Sequence, residues 1–274
     1  MTAPSVSFAR AVGDLRAGWD QRELWIHLGW QDIRQRYRRS VLGPIWISIT
    51  MVVTAVALGV LYAGLFNNDV SKQLPNILVG LIIWGFISGC ILEGSEVFVA
   101  NVGLITHLPA PLSVHVYRLI WRQVLFFLHN LIAYVLMLVV FPQPLKWTDL
   151  TAIPAFALLV ANGAWVALLF GIFTTRFRDL APIVQSIVQL AFFLTPIVWI
   201  YQDFLHSPNP AVAGRARLAE LNPFLHFVEL LRRPMLGQDQ LLRYWVVVLV
   251  ITVVGWSLTL FTLRRYRARV SYWV

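Results

Sequence analysis

Charge is what this sequence has least of. Asp, Glu, Lys and Arg make up 13% of its 274 residues against 58% hydrophobic, a balance that suits neither one large soluble domain nor two small ones. There is one cysteine, Cys90, inside an apolar run. It can form no intrachain disulfide and supports no thiolate metal site, so its plain reading is a small buried apolar residue. The only lysines, Lys72 and Lys146, follow Ser71 and Leu145. A phosphate-cradling G-x-x-x-x-G-K-[ST] loop therefore cannot be built, and any ATP used must be hydrolysed by another chain. The six histidines include no H-E-x-x-H and no pair at ligand spacing on one helix turn, and no D-D-x-x-D cluster exists, so no metal is expected. Met1 to Trp30 carries scattered charges and no apolar core before a small-residue cleavage site, so no secretory signal is expected and the first apolar run reads as a permanent anchor.

What is present is long apolar sequence. A hydrocarbon core of about 30 Å needs roughly 20 apolar residues per helix. Six stretches free of Asp, Glu, Lys and Arg meet that length: Ser40 to Asn68, Gln73 to Leu92, Gln123 to Leu145, Leu150 to Thr175, Leu180 to Gln202 and Tyr244 to Leu263. The spans are placed at about 45–66, 75–98, 120–141, 152–174, 181–202 and 244–263. Runs such as WVVVLVITVVGW (Trp245 to Trp256) do not alternate as β-barrel strands do. The expected fold is an all-α integral membrane protein: residues 1–39 form an N-terminal tail with an amphipathic interfacial helix, and residues 40–274 form one six-span domain.

Six spans put both termini on one side. That side carries 15 of the 22 Lys and Arg residues: seven before Ser40, then Arg118, Arg122, Arg176 and Arg178, and four from Arg264 to Arg269. Of the other seven, five lie in one long segment, where charge matters less to orientation. Both ends are therefore expected in the cytoplasm of a bacterial inner membrane. The net charge of +9 is then mostly a basic rim beside anionic lipid, which leaves nucleic acid without a role.

Three segments are not spans. Arg22 to Arg39 mixes Leu24, Trp25, Leu28, Trp30, Ile33 and Tyr37 with seven charged residues and no proline, which reads as an interfacial amphipathic helix, either a plain anchor or one that also contacts a cytoplasmic partner. Ala100 to Gln123 holds a short apolar stretch broken by Pro109 and Pro111, giving either a connecting loop or a short helix lying across the membrane. Asp203 to Arg243 faces the other side. Its second half, from Leu218 to Gly237, has helical spacing but is too short and too charged to cross, so it is re-entrant or interfacial.

Two motifs suggest chemistry. His27 and Asp32 are spaced H-x-x-x-x-D, the pattern of glycerolipid acyltransferases, although five-residue spacing puts them on different helix faces. Glu93 and Glu96 are i,i+3 neighbours near the cytoplasmic end of the second span, about 27 Å along a helix counted from Pro75. No ionisable residue lies mid-span, which argues against an ion-coupled transporter. Of 37 aromatics, Trp46, Trp121, Trp147 and Trp245 lie near span ends as interface anchors. Tyr62, Trp84, Trp165 and Trp199 lie further in, where rings pack between helices or stack on sugars.

The segment RQRYRRSVLGPIW (Arg34 to Trp46) resembles the entry to the first span in ABC-2 type permeases of O-antigen, teichoic-acid and capsule exporters. LITHLPAPLSVHVYR (Leu104 to Arg118), RFRDL (Arg176 to Leu180), FFLTPIVW (Phe192 to Trp199) and LNPF (Leu221 to Phe224) recur in the same order. The resemblance implies a homodimer with two copies of a separate ATPase subunit, which holds the ATP and Mg, exporting an undecaprenyl- or decaprenyl-linked polysaccharide. It implies ATPase coupling at Leu104, Ile105, His107, Pro109, Pro111 and Arg118, and an interfacial motif at Arg36, Tyr37, Arg38, Arg39, Gly43, Pro44 and Trp46. Spans one and five would line the channel, with Tyr62, Phe193, Pro196, Trp199, Asn222, Pro223 and Phe224 as channel or gate candidates. Arg176, Arg178 and Asp179 would form a cytoplasmic loop. The tail ends at RRYRARVSYWV, where many such permeases continue, so no C-terminal docking role is expected. The 20 arginines resemble mycobacterial galactan exporters; related permeases that export drugs or small lipids are the alternative within transport.

Overall fold

The computed structural model describes residues 7–38, 42–107, 110–144 and 146–274. All regular structure among them is helical: α1 (Phe8–Asp20), α2 (Arg22–Arg36), α3 (Ile45–Phe66), α4 (Val70–Ser95), α5 (Val102–His107), α6 (Leu112–Val140), α7 (Ala152–Arg176), α8 (Leu180–Leu194), α9 (Tyr201–Leu205), α10 (Pro210–Leu218), α11 (Pro223–Met235) and α12 (Leu242–Trp273). Short 3-10 turns precede α5, α7 and α11. Five helical stretches are long and apolar enough to cross a membrane: α3, α4, α6, α7 with its preceding turn, and α12. The chain is a multi-pass membrane protein.

The fifth expected span, 181–202, is not one helix. α8 has 15 residues, about 22 Å of helix against a core of about 30 Å. The cause is Pro196, which lacks an N–H and disfavours the helical conformation in the residue before it; Thr195 is extended at φ −89°, ψ 137°. Residues 195–200 then continue without helix into α9. Other boundaries move outward. α6 starts at Leu112, directly after Pro111, rather than near 120, and α12 runs ten residues past Leu263.

α4 is the centre of the bundle. Two-thirds of its apolar window is buried, against 17–44% for the other four spans, and it packs on α3, α6, α7, α8 and α11. Lipid tails are as apolar as side chains, so membrane helices associate through close van der Waals packing. Small residues every fourth position on α7, Gly163, Ala167 and Gly171, meet Cys90 and Gly94 on α4. A Cβ on Gly163 would lie 2.8 Å from Cys90 Sγ, and one on Gly94 would lie 2.6 Å from Ala167 Cα. Gly255 on α12 in turn lies flat against the Trp165 ring. The bundle has two distinct ends. α1, α2, α5 and the last turns of α12 gather at the basic end, and residues 195–241 gather at the far end.

A side chain inserted into the α4–α7 contact must separate two backbones. Gly94→Leu is expected to cost roughly 1–3 kcal/mol or more by overpacking, while Val139→Leu, on a 75% exposed site of α6, stays within about 0.5 kcal/mol. Thermal unfolding in detergent reads both; equal shifts would refute the close contact.

Candidate functional site

At the basic end, one ionic cluster joins four elements. Asp32 on α2 accepts from Arg118 Nε at 2.9 Å, from Arg118 Nη2, and from Arg122 Nη1 at 2.8 Å. Arg122 Nη2 also donates to Glu93 on α4, and Arg118 Nη1 donates to Asn101 Oδ1 at 3.3 Å, in the turn that leads into α5. Two carboxylates and two guanidiniums balance, so the half-buried cluster is neutral and its hydrogen bonds are charge-assisted. Glu96, by contrast, lies past the end of α4 and is exposed.

A second clasp holds the first helix. The buried Asp14 carboxylate accepts from Ser113 N at 3.1 Å and Arg267 Nε at 2.8 Å, and Ser113 Oγ donates to Asp14 O at 2.7 Å. α1 is thereby fixed between the start of α6 and the end of α12. Gly18 makes room, since a Cβ there would collide with Ser113 Oγ at 2.1 Å. Arg264 lies over the Phe8 ring and Arg176 over those of Phe177 and Trp273. The α12 tail, expected to have no docking role, is thus part of this platform through contacts within the chain.

The expected coupling residues sit beside these clusters. Leu104 and Ile105 of α5 are half-buried, His107 is exposed, Pro111 leads into α6, and Arg118 is in the ionic cluster; Pro109 lies outside the described residues. Of the interfacial motif, Arg36 lies 5.2 Å over the Phe126 ring, while Tyr37 is half-buried and Arg38 exposed. Gly43 adopts φ +56°, a left-handed turn that glycine takes without strain, and Pro44 caps α3. Trp46 is exposed, and Arg39 lies outside the described residues. Arg176 ends α7, and the exposed Arg178 and Asp179 turn the chain into α8. His27 and Asp32 are not brought together: Asp32 is committed to two arginines facing α6, whereas His27 is exposed beside Trp30 and Arg34 in a shallow surface groove.

At the far end, α11 is a re-entrant helix. Its first turn lies at membrane depth, where Phe224 meets Trp84 at 5.4 Å, some 14 residues or about 21 Å along α4. Its last turn is at the surface, where Met235 O accepts from Tyr134 OH at 2.7 Å. Asn222 caps it, accepting from Phe224 N at 3.0 Å, while Asn222 Nδ2 donates to Thr195 Oγ1 at 2.9 Å; Pro223 takes the first helical position. The channel candidates form two aromatic groups. Tyr62, Phe66, Phe204 and Trp199 stack in sequence near the surface, and Trp84, Phe192, Phe193 and Phe224 stack deeper. Pro196 is buried in the break between them.

α8 itself packs chiefly on α4, through Val184, Val188 and Ala191. Its opposite face exposes Gln185, Ser186, Gln189 and Phe193, and neither glutamine forms a hydrogen bond within the chain among the described residues. Beside this strip α8 also exposes Ile183, Ile187, Leu190 and Leu194; an unpaired amide facing hydrocarbon costs several kcal/mol, so the glutamine strip alone suits a polar medium.

The ABC-2 type transporter family model matches residues 23–236. The chain is 24% identical over 242 residues to the O-antigen export system permease protein RfbA of Klebsiella pneumoniae, covering 86% of this chain and 90% of that one. With its Myxococcus xanthus namesake it is 26% identical over 217 residues, covering 77% and 79%.

Two expectations follow. Removing Asp32 leaves two half-buried guanidiniums facing each other, so Asp32→Ala is expected to lower the thermal midpoint by an amount corresponding to roughly 1–3 kcal/mol, while the exposed His27→Ala changes it by less than about 0.5 kcal/mol; loss of function in a fully folded His27→Ala would instead support an acyltransferase pair. At the far end, the Tyr201 hydroxyl, donating at 2.7 Å, holds the Glu220 carboxyl below its ordinary value, with Arg243 adding to it. A carboxyl lowered in the folded chain contributes stability above its unfolded value, and loses it as pH falls through the lowered one. Glu220→Gln should therefore lower the thermal midpoint slightly at neutral pH and converge on the parent below about pH 4, so that the acid limb of the midpoint against pH profile is flatter.

Proposed function

The chain belongs to the ABC-2 type transporter family, and from that premise we propose that it is the membrane subunit of an ATP-driven exporter of a lipid-linked cell-envelope polysaccharide. The observation that carries this reading is the Gln185, Ser186, Gln189 and Phe193 face of α8. A glycan presents hydroxyls that amides can hydrogen-bond and apolar ring faces that a phenyl ring can stack on. Amides toward the basic end and aromatics toward the far end suit a polymer that passes along this helix. Two copies of the chain, set with α3 and α8 toward each other, would enclose such a path. α3 is open to that arrangement, since it exposes Val53, Val56, Val60, Leu61 and Leu65.

The basic end faces the cytoplasm of a bacterial inner membrane in this reading, which the distribution of arginine supports. Two copies of a nucleotide-binding subunit dock there on α5 and the neighbouring turns. Arg118 holds Asn101 in the turn before that docking helix, and the bonds of Asp32, Arg122 and Glu93 continue from Arg118 to α4, so force applied at α5 reaches the bundle centre through that turn. The polymer enters attached to a polyprenyl carrier, undecaprenyl or decaprenyl, and the arginine-rich composition favours a galactan.

The permease and its ATPase, co-expressed, are expected to co-purify and hydrolyse ATP; failure to retain any nucleotide-binding partner would overturn the proposal. Gln185→Leu with Gln189→Leu, on an exposed face that no packing needs, should leave the complex and its basal ATPase intact and lower polymer export by about tenfold or more, the equivalent of losing one or two hydrogen bonds to the passing chain.

A further inference from the structure

The most deeply buried ion pair among the described residues is at the far end. Arg232 and Glu229, on α11, are 2% and 4% exposed. Arg232 Nε donates to Glu229 Oε1 at 3.0 Å, Nη2 donates to the same oxygen, and Nη1 reaches across to the Pro196 carbonyl at 2.7 Å. Ionisable groups held at membrane depth are costly to bury, and a plain packing role would be served as well by apolar residues of the same volume. The third contact shows what the guanidinium adds. Pro196 lies where the fifth span has lost its helix, so its carbonyl has no partner four residues on. Gly80 on α4 makes room at that point: a Cβ there would lie 3.3 Å from the Ile197 carbonyl oxygen and 3.4 Å from Arg232 Nη1. The next accessible carbonyl, of Val198, accepts from Gln73 Nε2 at 2.7 Å.

We propose that Arg232 is a positioning residue of the outer closure: Glu229 orients its guanidinium so that Nη1 clamps the Pro196 carbonyl, holding residues 195–200 against α4 and shutting the far end of the path along α8. The assignment rests on the reading of α8 as lining that path. Release of this one hydrogen bond leaves the non-helical segment held by Gln73 and Asn222 and by the packing of Ile197 and Val198, and the segment can then swing away from α4 without unwinding α8.

The test uses the full chain in membranes, with Cys90→Ser and Val198→Cys, and follows labelling by a membrane-impermeant maleimide added at the far side. Val198 is buried, so the parent labels slowly. Glu229→Gln with Arg232→Met replaces the pair by neutral groups of similar shape, leaves the Pro196 carbonyl without its donor, and should stay folded while labelling about tenfold or more faster, because opening no longer breaks a charge-assisted bond. Arg232→Lys keeps a charge beside Glu229 but cannot reach both partners, and should label as fast as the double variant. Arg233→Met leaves Nη1 of Arg232 in place and should label as slowly as the parent. Unchanged labelling in the folded double variant, or equal acceleration by Arg233→Met, overturns the proposal. The readout needs no ATPase, so a failure of the complex to form would count against the export reading and leave this result standing.

Discussion

Every peptide N–H and C=O at membrane depth must find its partner inside the protein, and the far half of this molecule is organised by one place where the helix cannot supply it. Pro196 ends α8 after about 22 Å, short of a full crossing. The six residues that complete the span leave carbonyls unpaired where lipid offers no donors. The surrounding residues supply two of those donors, Gln73 from α4 and Arg232 from α11, while Asn222 at the cap of α11 holds the Thr195 hydroxyl. Gly80 lets the segment approach α4 closely enough for the donors to reach. A re-entrant helix is therefore needed to bring an arginine to this depth from a chain that begins and ends at the surface.

The basic end solves a different problem. Here water is near, so carboxylates and guanidiniums need no burial to be tolerated, and they serve to join elements that the apolar effect cannot hold at an interface. Asp32 holds α2 to α6, Arg122 ties α6 to α4, and Asp14 joins α1 to α6 and α12. These joints are electrostatic and directional, so the amphipathic helices are set at fixed angles to the spans. A helix resting on lipid alone would be free to roll and could not transmit a push.

Much of this was legible in the residues. Five of the six charge-free windows are helices of membrane-spanning length because runs of apolar residues admit no other satisfied backbone, and the placement of Asn222 and Pro223 as cap and first residue follows from their side-chain chemistry. The broken fifth span was legible in principle, since Pro196 stands in the window, yet a hydropathy count passes over a proline flanked by Phe, Leu, Ile and Val. The ion pairs were not legible. Asp32 with Arg118 and Asp14 with Arg267 join residues 86 and 253 positions apart, and no local period encodes such a pairing. In the sequence Arg232 and Arg233 are adjacent in LLRRP, and only the packing of α11 against α4 shows that the first points inward while Arg233 faces the Asp239 carbonyl.

The two ends communicate through α4, and the packing decides which parts can move. α4 touches Arg122 through Glu93 at one end and lies against the 195–200 segment through Gly80 at the other. Between these points Cys90 and Gly94 lock it to α7 at backbone distance, so displacement of the basic end moves α4 and α7 as one rigid body. α8 is held differently. It rests on α4 along one face, and its other face carries the glutamines and Phe193. A rigid α4–α7 pair and a lightly held α8 form a two-part device, in which tilting of the pair strains the donors at the unwound segment before it disturbs any helix. The weakest link between the parts is then the set of hydrogen bonds to the Pro196 and Val198 carbonyls. Their rupture leaves Ile197 and Val198 as the segment's remaining hold on the core and leaves the α4–α7 contact untouched.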